Sequence, residues 1–559
     1  MGILAQEADL SFTCERNSYK KNFLCLCQLR TEPNEDRALP LRIASFLAMK
    51  KGISRHPFAC SCRLFVTRSL VNPKSRAPGS SLPAGLPLKK CLRLHVACLF
   101  SGTEHLTYRE EAAHPPPLDC RCTRAGKYLM NKNESSSATQ TQETSSIFSK
   151  ARSKLAFDRL VAMGAKMGMD NPLFLCADRA AKATIHIDGK DYINFSTYDY
   201  LDINAHPEIT AAVTKTAEVF GTSAGASRLV GGERTPHRQL EKAIAEFLGT
   251  EDCIVYVSGH ATNVSTLGFL FGPRDLILYD NLAHNSLIQG SRLSSSARFA
   301  YAHNDCDDLE RLLKAKRGEH KRAVIVTEGL FSMDGNIPDI PRLIELKKRY
   351  NCMLMVDEAH SFGVIGEHGG GVREYFNVDP NDVDLWMSTL SKTLCGCGGY
   401  IAGRKELVDY LKYGSPGFVF SVGLSPVLAV ASYTALQILK REPERVHKLQ
   451  HISQYFLKYA KQKGFNTGEA QGYAIVPVIT GDSMVTGFLA TQLFMRGIYV
   501  MPITFPAVKE GEARLRFFLS ASQTEENVRI TLDALEEELP KAMEKVRAYN
   551  EAHPEGYDY

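Results

Sequence analysis

An α/β fold on a mostly parallel sheet, with a smaller C-terminal α+β domain, is what the sequence predicts. Three observations carry that expectation. Beyond Ser149 short apolar runs alternate with longer stretches of helical spacing, polar and acidic residues gather directly after the apolar runs, and from Glu442 onward strand-like and helical runs mix. Strands that alternate with helices favour a parallel sheet covered on both faces, because each crossover lays a helix against it.

Cys253 to Val257, Leu276 to Tyr279, Ala323 to Val326, Met353 to Val356 and Val383 to Met387 are the predicted strands. Each is a short apolar run bounded by polar residues, as expected of a strand buried on both faces. Asp307 to Lys316 and Ile340 to Tyr350 are predicted helices between them. Val422 to Leu436 is predicted as a buried core helix, since Gly423, Ser425, Pro426 and Ser432 interrupt it. No apolar run reaches the roughly 18 residues of a membrane span. In the C-terminal part, Ala474 to Ile479 and Arg514 to Leu519 read as strands, and Glu525 to Tyr549 has helical spacing with many charges.

Composition divides the chain further. With 559 residues and 44% hydrophobic content it is long enough for two to four domains and a sizeable core. The formal charge of +5 is small for that length and implies neither a nucleic-acid partner nor a membrane-attracted surface. Basic residues outnumber acidic ones up to about Lys127, and Cys14, Cys25, Cys27, Cys60, Cys62, Cys91, Cys98, Cys120 and Cys122 fall there. Their Cys-x-Cys pairs lack the C-x-x-C spacing of zinc sites, and the total of 15 cysteines is odd, so neither a metal site nor a closed disulfide framework is indicated. Residues 1–130 are therefore expected to be a poorly ordered basic leader, with a targeting role as the alternative; Glu7, Asp9 and Glu15 argue against a simple transit peptide. A linker rich in Ser, Thr, Gln and Glu follows at 131–149. The catalytic fold is expected to begin with a segment at 150–220, continue as a large domain at 221–441 and end as a small domain at 442–559.

In an open parallel sheet, ligands gather at the carboxyl ends of the strands. Ser258-Gly259-His260, Asp280 to His284, Glu328 to Ser332, Asp357 to His360 and Thr389 to Lys392 all follow predicted strands. Lys392 lies three residues after Thr389 and just before a glycine-rich turn at Gly396, Gly398 and Gly399. A lysine that forms a Schiff base, a carboxylate that keeps a pyridine nitrogen protonated, and glycine-rich backbone for a phosphate are what pyridoxal phosphate needs of a protein. Lys392, Asp357 and these turns supply that set. No G-x-G-x-x-G follows a strand with an acidic residue about twenty positions on, which weighs against a dinucleotide-binding oxidoreductase.

The ordered motifs have a counterpart. Thr222-Ser223-Ala224-Gly225-Ala226-Ser227-Arg228-Leu229, Asp280-Asn281-Leu282-Ala283-His284-Asn285-Ser286, Glu328-Gly329-Leu330-Phe331-Ser332-Met333-Asp334-Gly335, Asp357-Glu358-Ala359-His360-Ser361 and the Lys392 run resemble those of the α-oxoamine synthase family over about Ile193 to Leu535. These are pyridoxal phosphate enzymes of fold type I that condense an amino acid with an acyl thioester. The resemblance implies that Lys392 holds the cofactor and then removes the α-proton, Asp357 pairs with the pyridine nitrogen, His360 reaches the ring hydroxyl, and His284 stacks on the ring. It implies that Gly259, His260 and Thr389 hold the phosphate, Ser332 lies near the ring, and Ser421 reaches the phosphate of a partner subunit in a homodimer with interface active sites. Arg516, with Arg514 as its alternate, would grip the amino-acid carboxylate through its planar fork. Relatives commonly carry an aromatic residue where His260 stands and histidine where Gln523 stands.

Phe195-Ser196-Thr197-Tyr198-Asp199-Tyr200-Leu201 and Gly417 to Pro426 look most like the serine palmitoyltransferase branch. That implies L-serine and palmitoyl-CoA, or a similar acyl group on coenzyme A or an acyl carrier protein, joined to 3-ketodihydrosphingosine in the first step of sphingolipid biosynthesis. The alternative is another synthase of the family, of the glycine C-acetyltransferase or 8-amino-7-oxononanoate synthase type. A non-catalytic partner subunit with an N-terminal anchoring module is the rival of another class, and the presence of Lys392 weighs against it. The branch implies the cytosolic side of the endoplasmic reticulum, with the cytoplasm as the alternative.

Overall fold

The computed structural model describes residues 173–553, single positions at 158, 161, 162 and 165, and two short strands near the N-terminus. The chain forms two compact units, Met1–Thr139 and Gln140–Tyr559. In the first, strands β1 (Phe12–Glu15) and β2 (Leu24–Cys27) pair antiparallel, with Phe12 opposite Cys27. The rest of the expected leader, and the expected linker, lie outside the described residues.

The second unit opens with β3 (Thr184–Ile187) and β4 (Lys190–Asn194), and then builds the main sheet from β5 (Asp252–Tyr256), β6 (Asp275–Asp280), β7 (Ala297–Tyr301), β8 (Arg322–Glu328), β9 (Met353–Asp357), β10 (Leu385–Thr389) and β11 (Gly399–Gly403). The seven strands lie in the order β5-β11-β10-β9-β8-β6-β7. Only β11 runs antiparallel to its neighbours; the pairs β10-β9, β9-β8, β8-β6 and β6-β7 are parallel. The central strands are buried along their length, and Trp386, Leu354, Val324, Ile325 and Val326 are shut from solvent. This is the two-faced burial that continuous apolar runs announce.

Helices cover both faces, and local chemistry sets their ends. Asp339 caps Ile340–Tyr350 by accepting from Arg342 N, Pro341 fits the first turn, and Asn351 ends the helix in the left-handed conformation at φ 48°. Its Ile340, Leu343, Ile344 and Leu346 face the sheet core. Asp305 caps Cys306–Lys316 through the N–H groups of Asp307 and Asp308. The predicted helix at Val422 to Leu436 forms over Pro426–Arg441 instead, because Pro426 occupies a first-turn position that favours a start there.

The C-terminal part contributes β12 (Ile475–Gly481), β13 (Ile498–Tyr499), β14 (Met501–Ile503) and β15 (Ala513–Phe518), with β12-β15-β14 as one sheet. Strand β4 pairs parallel with β13, Ile193 opposite Ile498, so β3 and β4, from the segment expected at 150–220, share a sheet with a C-terminal strand. Outside the main sheet the sequence expectation did not include β1 to β4, β13 and β14, and within it the two strands β7 and β11 escaped. The first is an edge strand with alternating exposure, and the second reads Gly-Tyr-Ile-Ala-Gly, a pattern that resembles a turn. Val383 to Met387 is shifted two residues onward, since a 3₁₀ turn at Pro380–Asp382 delays the strand.

Register places the strand ends. Asp357 lies opposite Glu328 on one side and Met387 on the other, while Gly399 lies opposite both Thr389 and Tyr256. Gly399 sits where backbones meet: a Cβ there would lie 2.7 Å from Gly259 Cα and 2.6 Å from Thr262 Oγ1. Among the described residues no helix is long and apolar enough to cross a membrane.

Gly399→Ala is expected to lower unfolding stability by about 1–3 kcal/mol through overpacking against the Gly259 turn, measured by denaturant melts; an unchanged midpoint would contradict this close approach.

Candidate active site

The carboxyl edge of the main sheet brings Lys392, His360, Asp357, Glu328 and His284 together, with Asp357, Glu328 and His360 buried, Lys392 half-buried and His284 at the open side. Lys392 follows β10 by three residues, and its Nζ lies 2.7 Å from His360 Nε2. The other ring nitrogen of His360 lies 2.7 Å from the Tyr200 hydroxyl. Among the described residues Lys392 has no ion-pair partner. Burial pulls its ammonium down to about pKa 8, against the opposing pull of the Asp357 and Glu328 carboxyls. His360 is pushed well below the ordinary histidine range by burial and by the Lys392 and Arg516 charges, so it stays neutral.

Asp357 ends β9 with both oxygens engaged: Oδ1 accepts from Ala359 N at 2.9 Å and Oδ2 from Asn263 Nδ2 at 2.8 Å. Glu328, at the end of β8, is buried, and burial followed by the neighbouring Asp357 charge raises its carboxyl well above the usual range. Its Oε1 accepts from the backbone N–H of His284 at 2.6 Å, fixing the loop that carries that histidine. His284 is the N-cap of helix Asn285–Leu293; its Nδ1 meets Ser286 Oγ at 2.7 Å, and burial lowers its pKa.

On the other side of the cluster, Ser258 caps the helix Gly259–Leu270, and the first intrahelical bond runs from Thr262 N to Ser258 O. The N–H groups of Gly259 and His260 precede that bond, at the electropositive end of the helix. A Cβ on Gly259 would lie 2.8 Å from Thr389 Oγ1, so the missing side chain lets the turn close on that hydroxyl. Thr389 Oγ1 donates to Gly398 O at 2.9 Å and lies 2.7 Å from Ser391 Oγ, a second hydroxyl not singled out in the sequence. The His260 side chain is exposed, with its ring 6.5 Å from that of His284.

The two arginines separate cleanly. Arg514 pairs with Asp334 at 2.7 Å and donates to Met333 O and Glu512 O, so the structure does not leave it for a substrate. Arg516 donates to Ser332 O and Met333 Sδ, lies 4.6 Å over the Phe518 ring, and has a buried Nε without a hydrogen-bond partner. Among the described residues it too lacks an ion pair. Burial lowers its pKa, as expected of a guanidinium without a carboxylate beside it. Tyr198, 42% exposed, places its ring 5.5 Å from Lys392 Nζ and edge-on to Phe518. Ser421 stands apart, in the segment between the exposed Phe420 and Val422. Gln523 is structural: its Nε2 donates to Asn194 O at 2.7 Å and its Oε1 accepts from Ser520 N.

The donor set fits pyridoxal phosphate. Two half-buried cations without carboxylate partners, a buried carboxylate at a strand end and a helix start closed against a hydroxyl supply an amine, an anion clamp, a pyridinium partner and a phosphate cradle. Asn263, Ser286, Tyr200 and Glu328 were not expected in these roles. Each stands inside or beside a motif that the sequence offered, but nothing local assigned it a partner.

Residues 190–535 match the family profile described as aminotransferase class I and II. The 8-amino-7-oxononanoate synthase of Symbiobacterium thermophilum is 38% identical over 61% of this chain and 87% of its own length. That of Thermosipho melanesiensis is 38% identical over 63% of this chain and 90% of its own. Among solved structures, the serine palmitoyltransferase of Sphingomonas wittichii is 28% identical with a TM-score of 0.67, covering 71% of this chain and 99% of its own. A serine palmitoyltransferase from S. paucimobilis with bound PLP and myriocin is 25% identical with a TM-score of 0.66, covering 70% of this chain and 98% of its own.

With pyridoxal phosphate removed, Lys392 is expected to react with an amine-selective acylating reagent with a midpoint near pH 8, below the ~10.4 of an exposed lysine. The neutral amine is the nucleophile and it prevails above the pKa, so labelling rises with pH through that window. Mass spectrometry of the labelled peptide reads it, and a midpoint like that of exposed lysines would contradict a buried, unpaired amine. Lys392→Ala is expected to abolish both this labelling and the near-visible absorbance of the loaded protein.

Proposed function

The chain belongs to the aminotransferase class I and II family, and within it to the pyridoxal phosphate-dependent α-oxoamine synthases of fold type I, and we propose that it condenses a small α-amino acid with an acyl thioester, releasing a thiol and carbon dioxide. The observation that carries this reading is Arg516, a half-buried guanidinium whose Nε is buried without a partner and which has no carboxylate beside it, in the same site as the unpaired Lys392 amine.

Asp357, Lys392, Gly259, His260 and Thr389 would hold the cofactor, with His284 and His360 against it. When bound, pyridoxal phosphate supplies an electron sink for the charge left at the α-carbon. Lys392, held near pKa 8 by burial, is suited to take a proton from that carbon near neutral pH. Arg516 would orient the substrate by its carboxylate. His360, kept neutral and tied to Tyr200, accepts a hydrogen bond from Lys392 through Nε2 and adds no charge of its own to the resting site. Tyr198 and Phe518 wall the amine with aromatic surface and limit water beside it.

Two substrate readings have specific support. The serine and palmitoyl-thioester branch rests on the serine palmitoyltransferase structures at 25% and 28% identity. The 8-amino-7-oxononanoate synthase type rests on curated relatives at 38% identity and is at least as well supported. Sphingolipid biosynthesis is accordingly one of two readings. A homodimer with sites at its interface is supported by exposed apolar residues, Leu229, Val230, Phe420 and Val422, the last two flanking Ser421.

The deciding experiment is spectral titration of the loaded protein with serine, alanine and glycine, followed by thiol release with acyl thioesters of several lengths on coenzyme A and on a carrier protein. A protein that responds to amino acids but releases thiol from none of the donors would overturn the proposal. Arg516→Ala is expected to raise the KM for the amino acid about 10- to 100-fold, the loss of a charged hydrogen-bonding pair; an unchanged KM would remove Arg516 from carboxylate binding.

A further inference from the structure

We propose that Asn263 and Ser286 are positioning residues that translate the charge of Asp357 into a single tautomer of His284, the one protonated on Nε2. Asn263 lies in the second turn of helix Gly259–Leu270 and is buried. Its Nδ2 is 2.8 Å from Asp357 Oδ2 and 2.9 Å from Ser286 Oγ. An amide nitrogen carries two hydrogens and a carboxylate only accepts. The reverse orientation would set the amide oxygen against a carboxylate oxygen, so Asp357 fixes which way Asn263 points. One hydrogen goes to Asp357 and the other to Ser286 Oγ.

Ser286 Oγ accepts from Asn263 through one of its two lone pairs, which turns its single hydrogen toward His284 Nδ1, 2.7 Å away. The Ser286 backbone N–H points at the same nitrogen from 3.3 Å. Two donors converge on Nδ1, which therefore carries the lone pair, and in the neutral ring the proton resides on Nε2. The bond from His284 N to Glu328 Oε1 anchors the backbone from which the ring projects. His284 is thus a hydrogen-bond donor through Nε2 rather than a base. Without Asn263 the Ser286 hydroxyl is able to turn and accept from Nδ1–H, which would invert the ring's polarity.

These contacts are internal to the protein. The inference rests on the proposed function only for the donor's task, which is to hold a carboxylate or polarise the acyl oxygen of the thioester.

The test is nitrogen-15 NMR of histidine-labelled protein, freed of pyridoxal phosphate and again loaded with it, with the His284 signals identified by their loss in His284→Gln. The wild type is expected to show Nε2–H. Ser286→Ala and Asn263→Ala are both expected to move His284 toward a mixture of tautomers, while Ser286→Thr, which keeps the hydroxyl, restores Nε2–H. An Nδ1–H wild type, or an unchanged tautomer in both alanine variants, overturns the proposal. A change in Ser286→Ala alone overturns the link to Asp357. Should Asn263→Ala fail to fold, Asn263→Ser takes its place, with retention of the wild-type melting transition as the criterion of folding. Failure to condense any amino acid with a thioester would defeat the proposed function and leave this measurement standing.

Discussion

Burial of the Lys392 amine without an opposing carboxylate is the constraint around which the rest of the site is arranged. A charge enclosed in protein is costly unless paired, and here the contact at 2.7 Å is the imidazole of His360. The carboxyl groups nearby are otherwise engaged. Asp357 is held by Asn263 and Ala359, and Glu328, raised well above the ordinary carboxyl range by burial, holds the backbone of His284. The amine is therefore left reactive because its surroundings spend their polar capacity on one another.

The same economy ties the substrate side to the catalytic side. The segment that carries Tyr198 and Tyr200 bonds to the chain just beyond Arg516: Phe518 N donates to Phe195 O, Ala521 N to Tyr200 O, and Ser520 Oγ to Asp199 O. Tyr200 in turn reaches His360. Arg514, through Asp334, pins the loop after β8 against the same strand, β15. The arginine that faces the pocket and the imidazole that faces the lysine are thus mounted on one hydrogen-bonded frame.

Much of this was legible in the sequence, for a physical reason. Parallel strands buried on both faces leave continuous apolar runs, and the residues directly after them lie at the ligand edge, so Asp357, His360, His284 and Lys392 stand where a reader of the chain would look. Helix Ile340–Tyr350 was legible to the residue, because Asp339 and Asn351 mark its ends. Other features were silent. Asn263 meets Asp357 across 94 residues and Tyr200 meets His360 across 160, and neither pairing leaves a local pattern. Arg514 and Arg516 share a strand face, and only Asp334, 180 residues away from the first, tells them apart. Strand β11 was hidden because its terminal glycines resemble a turn.

Those glycines separate what the sheet requires from what the substrate requires. Gly399 is hemmed in by backbone and by Thr262, close enough to the Gly259 turn that no side chain fits between them. Its lack of a side chain answers a demand for room that is imposed by the sheet and is indifferent to which acyl group arrives. Any descendant of this architecture inherits the demand whatever substrate it has come to use. Glycine at that position therefore reports on how the sheet closes, and what selects the substrate is to be sought at positions that face the open side of the site.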